Sequence, residues 1–176
     1  MATVLLISGS TRTASSNSAL LRTAVAAAPP GVKTVLYDSL TDLPHFNPDD
    51  DREPLPAAVA QLRAALSDAD ALLFCTPEYA GTLPGSMKNL LDWTVGGTEM
   101  SDKPVAWVNA AADSRRGAGA QATLATVLGY VQAAVVGRAC RHIPVPSGAI
   151  GADGLIEDEQ TRAAIADVLT ALVAAG

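Results

Sequence analysis

The sequence predicts a doubly wound α/β fold, a parallel sheet with helices on both of its faces. Three observations carry that expectation. Apolar runs alternate with helical patterns along the chain. The runs are continuous rather than alternating with polar residues, as strands are when both sides of a sheet are covered. The 176 residues are 49% hydrophobic and only 17% charged, enough for one sizeable core, so the chain reads as one domain over residues 1–176.

Strands are expected at residues 3–8, 33–37, 71–76, 104–110 and 139–144. Helices are expected at about 16–28, 54–66, 84–95, 117–134 and 157–174. The first helix stops before Pro29-Pro30, the second follows Pro54 and the third starts at Pro84, which is placed to open a helix. The last carries Ile165, Val168, Leu169 and Leu172 on one face. Right-handed crossovers put these helices on both sides of the sheet. Ligands in such sheets bind beyond the carboxyl ends of the strands. Three loops fall there, at 9–17, 77–85 and 111–119. The acidic run "NPDDDRE" (47–53) reads as a solvated loop before the second helix.

Bulk properties exclude several function classes. A net charge of −6 and a pI near 4.7 argue against a nucleic-acid partner, which calls for basic surface. Cys75 and Cys140 make no CxxC or metal-spaced pattern, so no metal site is expected, and both read as packed thiols. "MATVLLISGS" has no basic leader and reads as a first strand. No apolar run reaches membrane-spanning length. A soluble, cytoplasmic protein with no membrane partner is the expectation.

The first loop, "GSTRTASSN" (9–17), asks for an anion. Six hydroxyls lie between Ser8 and Ser16, with one arginine and no acid. Ser10, Thr11, Ser15 and Ser16 offer hydroxyl donors, Asn17 donates or caps, and Arg12 adds a charged planar fork. The loop opens a helix, whose N-terminal N–H groups favour negative charge. A helix cap accounts for one or two of these hydroxyls. The excess fits a phosphate monoester.

Two nucleotide motifs fail on inspection. "GTLPGSMKN" lacks P-loop spacing. "GAGAQA" (117–122) meets a relaxed dinucleotide pattern, but no Asp or Glu occurs between Ser114 and Ala152 to hold a ribose. That segment reads as tight loop-to-helix packing. In the second loop, "CTPEYAGTLPGSMKNLLDW" (75–93), Pro77 stiffens the turn and Gly81 and Gly85 permit close backbone approach. A planar heteroaromatic ring can lie against such a backbone.

"GSTRTASSN" together with "PEYAGTLPGSMKNLLDW" resembles the NAD(P)H-dependent FMN reductases, which are grouped with the quinone, azo-dye and chromate reductases. The resemblance runs over nearly the whole chain, "LPHFNPD" (43–49) included. It implies a flavodoxin-like five-stranded parallel sheet in the order 2-1-3-4-5. It implies that Ser10, Arg12, Ser15, Ser16 and Asn17 hold the FMN phosphate. Pro77, Glu78, Tyr79, Ala80 and Gly81 would line the isoalloxazine ring, which the third loop approaches from Ala112 to Gly117. It implies a homodimer or homotetramer. Two departures stand out: Ala80 where the family usually has Asn, and Arg115-Arg116 where it has a glycine-rich loop.

The implied activity is hydride transfer from NADPH or NADH to flavin N5, then to a small-molecule electron acceptor (free flavin, quinone, azo compound or chromate), by a ping-pong mechanism. No catalytic side chain is required, because the cofactor carries the chemistry. His45 and His142, the only histidines, sit in no base-plus-nucleophile arrangement and read as structural. Arg115 or Arg116 is placed to meet the nicotinamide nucleotide's phosphate. The alternative is a flavodoxin-like electron carrier or a non-catalytic flavin-binding module.

Overall fold

A computed structural model describes residues 1–146 and 148–176. The parallel strands β1 (Ala2–Ser8), β2 (Val32–Tyr37), β3 (Ala71–Cys75), β4 (Pro104–Asn109) and β5 (Ala134–Val135) lie in the order β2-β1-β3-β4-β5. A further two-residue strand, β6 (Arg141–His142), pairs with β4. The helices are α1 (Ser16–Ala26), α2 (Ala57–Asp68), α3 (Gly85–Asp92), α4 (Ala118–Tyr130) and α5 (Glu159–Val173).

Side-chain alternation along each strand divides the core in two. Leu5, Ile7, Leu72, Phe74 and Val105 face α2, α3 and α4, and pack with Leu62, Leu90 and Leu124. Val4, Leu6, Leu73, Cys75, Ala106 and Val108 face α1 and α5, and pack with Leu20, Leu21, Ile165 and Leu169. The central strands β1 and β3 are therefore buried on both faces, as continuous apolar runs require. The edge strand β2 is not, since Val35 and Leu36 are exposed.

Helix ends follow local chemistry. The Ser15 hydroxyl caps α1, which stops at Ala26 because Pro29 and Pro30 cannot extend it. Asp158 caps α5 by accepting from the Thr161 amide at 2.8 Å. The α2 carboxyl end is held by Lys103, whose Nζ donates to the carbonyls of Leu66 (2.7 Å) and Ala69 (2.5 Å).

The fifth strand differs from expectation. The run 139–144 was expected as one strand, with the preceding helix reaching residue 134. Instead α4 ends at Tyr130, and Gln132 turns the chain with φ 59°. Ala134 and Val135 then pair with Pro104 and Val105. A 3-10 turn at Gly137–Ala139 interrupts the sheet, and Arg141 and His142 resume it beside Val108 and Asn109. The run "AAVV" reads equally well as a helix tail. Only its partner on β4 makes it a strand. Short 3-10 turns at Leu40–Asp42 and Pro48–Asp50 order the segment after β2. That segment is tied to α3 through Asn89 Nδ2 and Trp93 Nε1, which both donate to Pro44 O, and through the edge-on Phe46–Trp93 pair. Among the described residues no helix is long and apolar enough to cross a membrane.

Candidate functional site

The three loops at the carboxyl ends of β1, β3 and β4 converge on a cleft of about 330 Å³. It is lined by Ser16, Asn17, Thr76, Pro77, Glu78, Asn109, Ala111, Arg116 and Gly117. Convergence requires close backbone approach at the first loop. A Cβ on Gly9 would lie 2.1 Å from Thr76 Oγ1, so only glycine fits there. The Gly9 amide donates to Cys75 O at 2.9 Å and joins the first loop to the end of β3.

The first loop presents an unneutralised helix N-terminus. No acid occupies the first turn of α1. Ser15 Oγ accepts from the Asn17 amide at 3.2 Å and from Asn17 Nδ2 at 3.4 Å. Ser15 and Asn17 are both buried. Ser16 and Asn17 face the cleft. Ser10 and Arg12 line an adjoining hollow on the β2 side of the same loop, with Ser8, Ser18 and Arg22. The Ser8 and Ser10 oxygens accept from the Ser10 and Arg12 amides, so part of the hydroxyl excess shapes the loop itself. Arg12 is exposed and in no ion pair among the described residues.

The loop after β3 is a tight turn. The Tyr79 amide donates to Thr82 O and the Thr82 amide to Tyr79 O, at 3.0 and 3.1 Å. The two residues between them, Ala80 and Gly81, have φ of 51° and 77°, as in a type I′ hairpin turn. Tyr79, Ala80 and Gly81 are exposed at this tip and do not line the cleft, whereas Pro77 and Glu78 do.

Glu78 closes the N-terminus of α4. Its Oε2 accepts from the Gly119 amide at 2.7 Å and the Ala120 amide at 3.3 Å. Gly117, at the N-cap, has φ 92° and no capping side chain, so a carboxylate from another loop takes that role. A Cβ on Gly119 would lie 2.0 Å from Gly81 O. "GAGAQA" thus serves loop-to-helix packing, as its missing ribose acid led one to expect.

The third loop is shaped by a residue the sequence reading passed over. Asn109, buried at the end of β4, donates from Nδ2 to Arg116 O (2.8 Å) and accepts at Oδ1 from the Ala111 amide (3.0 Å). The signal in the sequence was an amide side chain ending an otherwise apolar strand. His142 Nε2 donates to Ala111 O at 2.7 Å, from β6. Ala112 is exposed and outside the cleft lining. Arg115 forks onto Asp113, with Nε–Oδ1 at 3.0 Å and Nη2–Oδ2 at 2.7 Å, and this pairing holds the Asp113 carboxyl below its ordinary range. Arg116 lines the cleft, and its guanidinium makes no ion pair or hydrogen bond among the described residues.

Comparison with known proteins fits this geometry. The family model described as NADPH-dependent FMN reductase matches residues 2–145. The chain belongs to that family. It is 36% identical over 171 residues to an NAD(P)H-dependent FMN reductase of Pseudomonas aeruginosa, spanning 96% of this chain and 92% of the relative. It is 30% identical over 162 residues to a 2-hydroxy-1,4-benzoquinone reductase of a Burkholderia species, covering 90% and 87%. Among solved structures, FerB, a flavoenzyme NAD(P)H:(acceptor) oxidoreductase from Paracoccus denitrificans, superposes with a TM-score of 0.77. It is 28% identical and covers 99% of this chain and 96% of its own. Family membership makes the chain an oxidoreductase with FMN and NAD(P)H as its cofactors, and sets aside the reading as a carrier or non-catalytic module. The sheet order is the flavodoxin-like one expected.

Proposed function

We propose that residues 1–176 act as one FMN-binding domain that takes reducing equivalents from NADPH and passes them to a small quinone in two successive half-reactions. The observation that carries this reading is a difference between two helix N-termini at the cleft. The end of α4 is already closed by Glu78. The end of α1 is acid-free and presents Ser16 and Asn17 to the cleft, so it is the one open to a phosphate monoester.

The residues present fit FMN. Ser16 and Asn17 would hold the phosphate beside Ser15, with Ser10 and Arg12 closing over it from the other side of the loop. Pro77, Glu78, Thr76 and the Asn109-braced third loop would flank the ring. Tyr79, Ala80, Gly81 and Ala112 would form the rim. Bound FMN supplies the two-electron transfer between nicotinamide and acceptor. The protein binds and orients, and the cleft lining holds no histidine or other ready general base besides Glu78, whose Oε2 is committed to α4. The benzoquinone-reducing relative supports a quinone as acceptor.

Of the two arginines in the third loop, Arg115 is occupied by Asp113 and Arg116 is not. Arg116 is therefore the residue that would meet the 2′-phosphate distinguishing NADPH from NADH. The test adds NADPH to the FMN-loaded protein and follows bleaching of the flavin absorbance. Bleaching that a quinone then reverses supports the reading, and an oxidised flavin that NADPH and NADH both leave unchanged overturns it. In the same assay Arg116→Ala is expected to raise KM for NADPH about tenfold, equivalent to ~1.4 kcal/mol, with KM for NADH little changed. Arg115→Ala serves as the control, and an unaltered NADPH-to-NADH ratio in Arg116→Ala rules out the preference.

A further inference from the structure

We propose that Cys75 is a positioning residue for the phosphate loop: its thiol holds the Asn17 side-chain amide in the one orientation that turns an N–H toward the cleft. The inference rests on the FMN reading above. From the sequence, Cys75 reads as an ordinary packed thiol at the end of a strand. In the structure it is fully buried and sits on the sheet face that packs against α1. There Sγ donates to Asn17 Oδ1 at 3.3 Å.

The amide of Asn17 has two orientations that exchange its oxygen and its nitrogen. In the one observed, Oδ1 points back to the thiol. Nδ2 spends one hydrogen on Ser15 Oγ and keeps the other. Asn17 borders the cleft, so that remaining N–H is a donor for an anion at the α1 N-terminus. Rotating the amide would bring a carbonyl oxygen to the same place and repel the anion. The thiol opposes that rotation, because it supplies a donor that only the oxygen end satisfies. Without the thiol, Oδ1 is left facing apolar core, and the orientation that turns it toward solvent gains ground.

The thiol is suited to a constant role. Burial pushes its proton affinity far above the ordinary value, so it remains an S–H donor at any working pH. A thiolate in that place would oppose the bound phosphate, and the Ala110 amide, which alone favours one, is outweighed by burial. Cys140, by contrast, donates to Val136 O at 3.6 Å, far from the loop, and carries no such role.

The test separates positioning from packing, because the two predict opposite orders. Cys75→Val keeps the volume and removes the donor. Cys75→Ser keeps a donor and buries a hydroxyl in an apolar face. If Cys75 positions Asn17, Cys75→Val folds as well as wild type but binds FMN about tenfold more weakly, the cost of about one hydrogen bond. Cys75→Ser then holds FMN affinity within about twofold although its thermal midpoint falls. Affinity is read by quenching of flavin fluorescence, and stability by thermal unfolding of the FMN-free protein. In an Asn17→Ala background the Cys75→Val effect on affinity should vanish, which a merely structural thiol would not produce. Wild-type affinity in Cys75→Val overturns the proposal, as does a loss of affinity that follows the loss of stability across both variants. Failure of the wild-type chain to bind FMN would instead refute the cofactor reading, and this proposal with it.

Discussion

At the scale of single residues, the departures from the family pattern acquire physical meaning. Ala80 stands where the resemblance led one to expect Asn, and the structure ties the difference to the backbone. Position 80 has φ 51°, and its side chain is exposed at the hairpin tip. Asn tolerates the left-handed region better than alanine, for which it costs roughly 1 kcal/mol. Ala80→Asn is therefore expected to stabilise the protein by about 0.5–1 kcal/mol, a rise of about 2 °C in thermal midpoint. FMN affinity should be unchanged. A lowered midpoint would contradict this account. Arg115 and Arg116 are adjacent and chemically identical in the sequence. One is consumed by Asp113 and the other has no side-chain partner among the described residues, a distinction that exists only once the loop is folded.

At the scale of elements, the site depends on helix ends more than on strands. Glu78 is read from the sequence as a ring-lining residue at the sheet rim. It does border the cleft, but its carboxylate is spent on the N-terminus of α4, at amides 41 and 42 residues on. That bond also braces the turn that carries Tyr79 to Thr82, whose Oγ1 shares a 2.9 Å hydrogen bond with Thr123 Oγ1 of α4. Glu78→Ala should cost about 1–2 kcal/mol of stability in the FMN-free protein, as loss of a charged cap does. Glu78→Gln, which keeps an acceptor, should cost less than half of that. Denaturant midpoints of the two variants check this ordering, and equal losses would show that charge rather than hydrogen bonding dominates. The strand elements were legible because continuous apolar runs have few alternatives. The fifth was not. "AAVV" suits a helix tail and a strand equally, and pairing with Pro104 and Val105 decides between them.

At the scale of the whole molecule, global stability should be linked to pH through the buried Cys75 thiol. Its ordinary proton affinity corresponds to 9.0, and burial raises it strongly in the folded state. The unfolded chain thus releases this proton as pH passes about 9, while the folded chain keeps it. The unfolded state then binds fewer protons, so stability falls as pH rises. This contribution is fully present below pH 9 and is lost above it, by up to about 1.4 kcal/mol per pH unit. Unfolding measured at pH 8 and pH 10 should show the loss, and Cys75→Val should lose less over that interval. Tyr37, pushed up to about 12, adds a loss of the same sign above pH 10. An identical slope in wild type and Cys75→Val would exclude the thiol as its source.

The sequence by itself determined the layered fold and the family, and it pointed to the sheet ends, where the cleft lies. Those depend on hydrophobic periodicity and on turn residues, which are local and repeat along the chain. It also marked "GSTRTASSN" as an anion loop, because hydroxyls without acids are visible in one dimension. Only the tertiary structure decided how those residues divide. Ser16 and Asn17 face the cleft, Ser10 and Arg12 the other side of the loop, and Tyr79 and Ala112 lie outside the lining. Asn109 as a loop brace and Cys75 as the partner of Asn17 emerged there too. Each depends on a hydrogen bond whose partner lies on another element, as far as fifty-eight residues away for Cys75 and Asn17. No local pattern encodes such a pairing, because it is set by where the sheet brings two strand ends together.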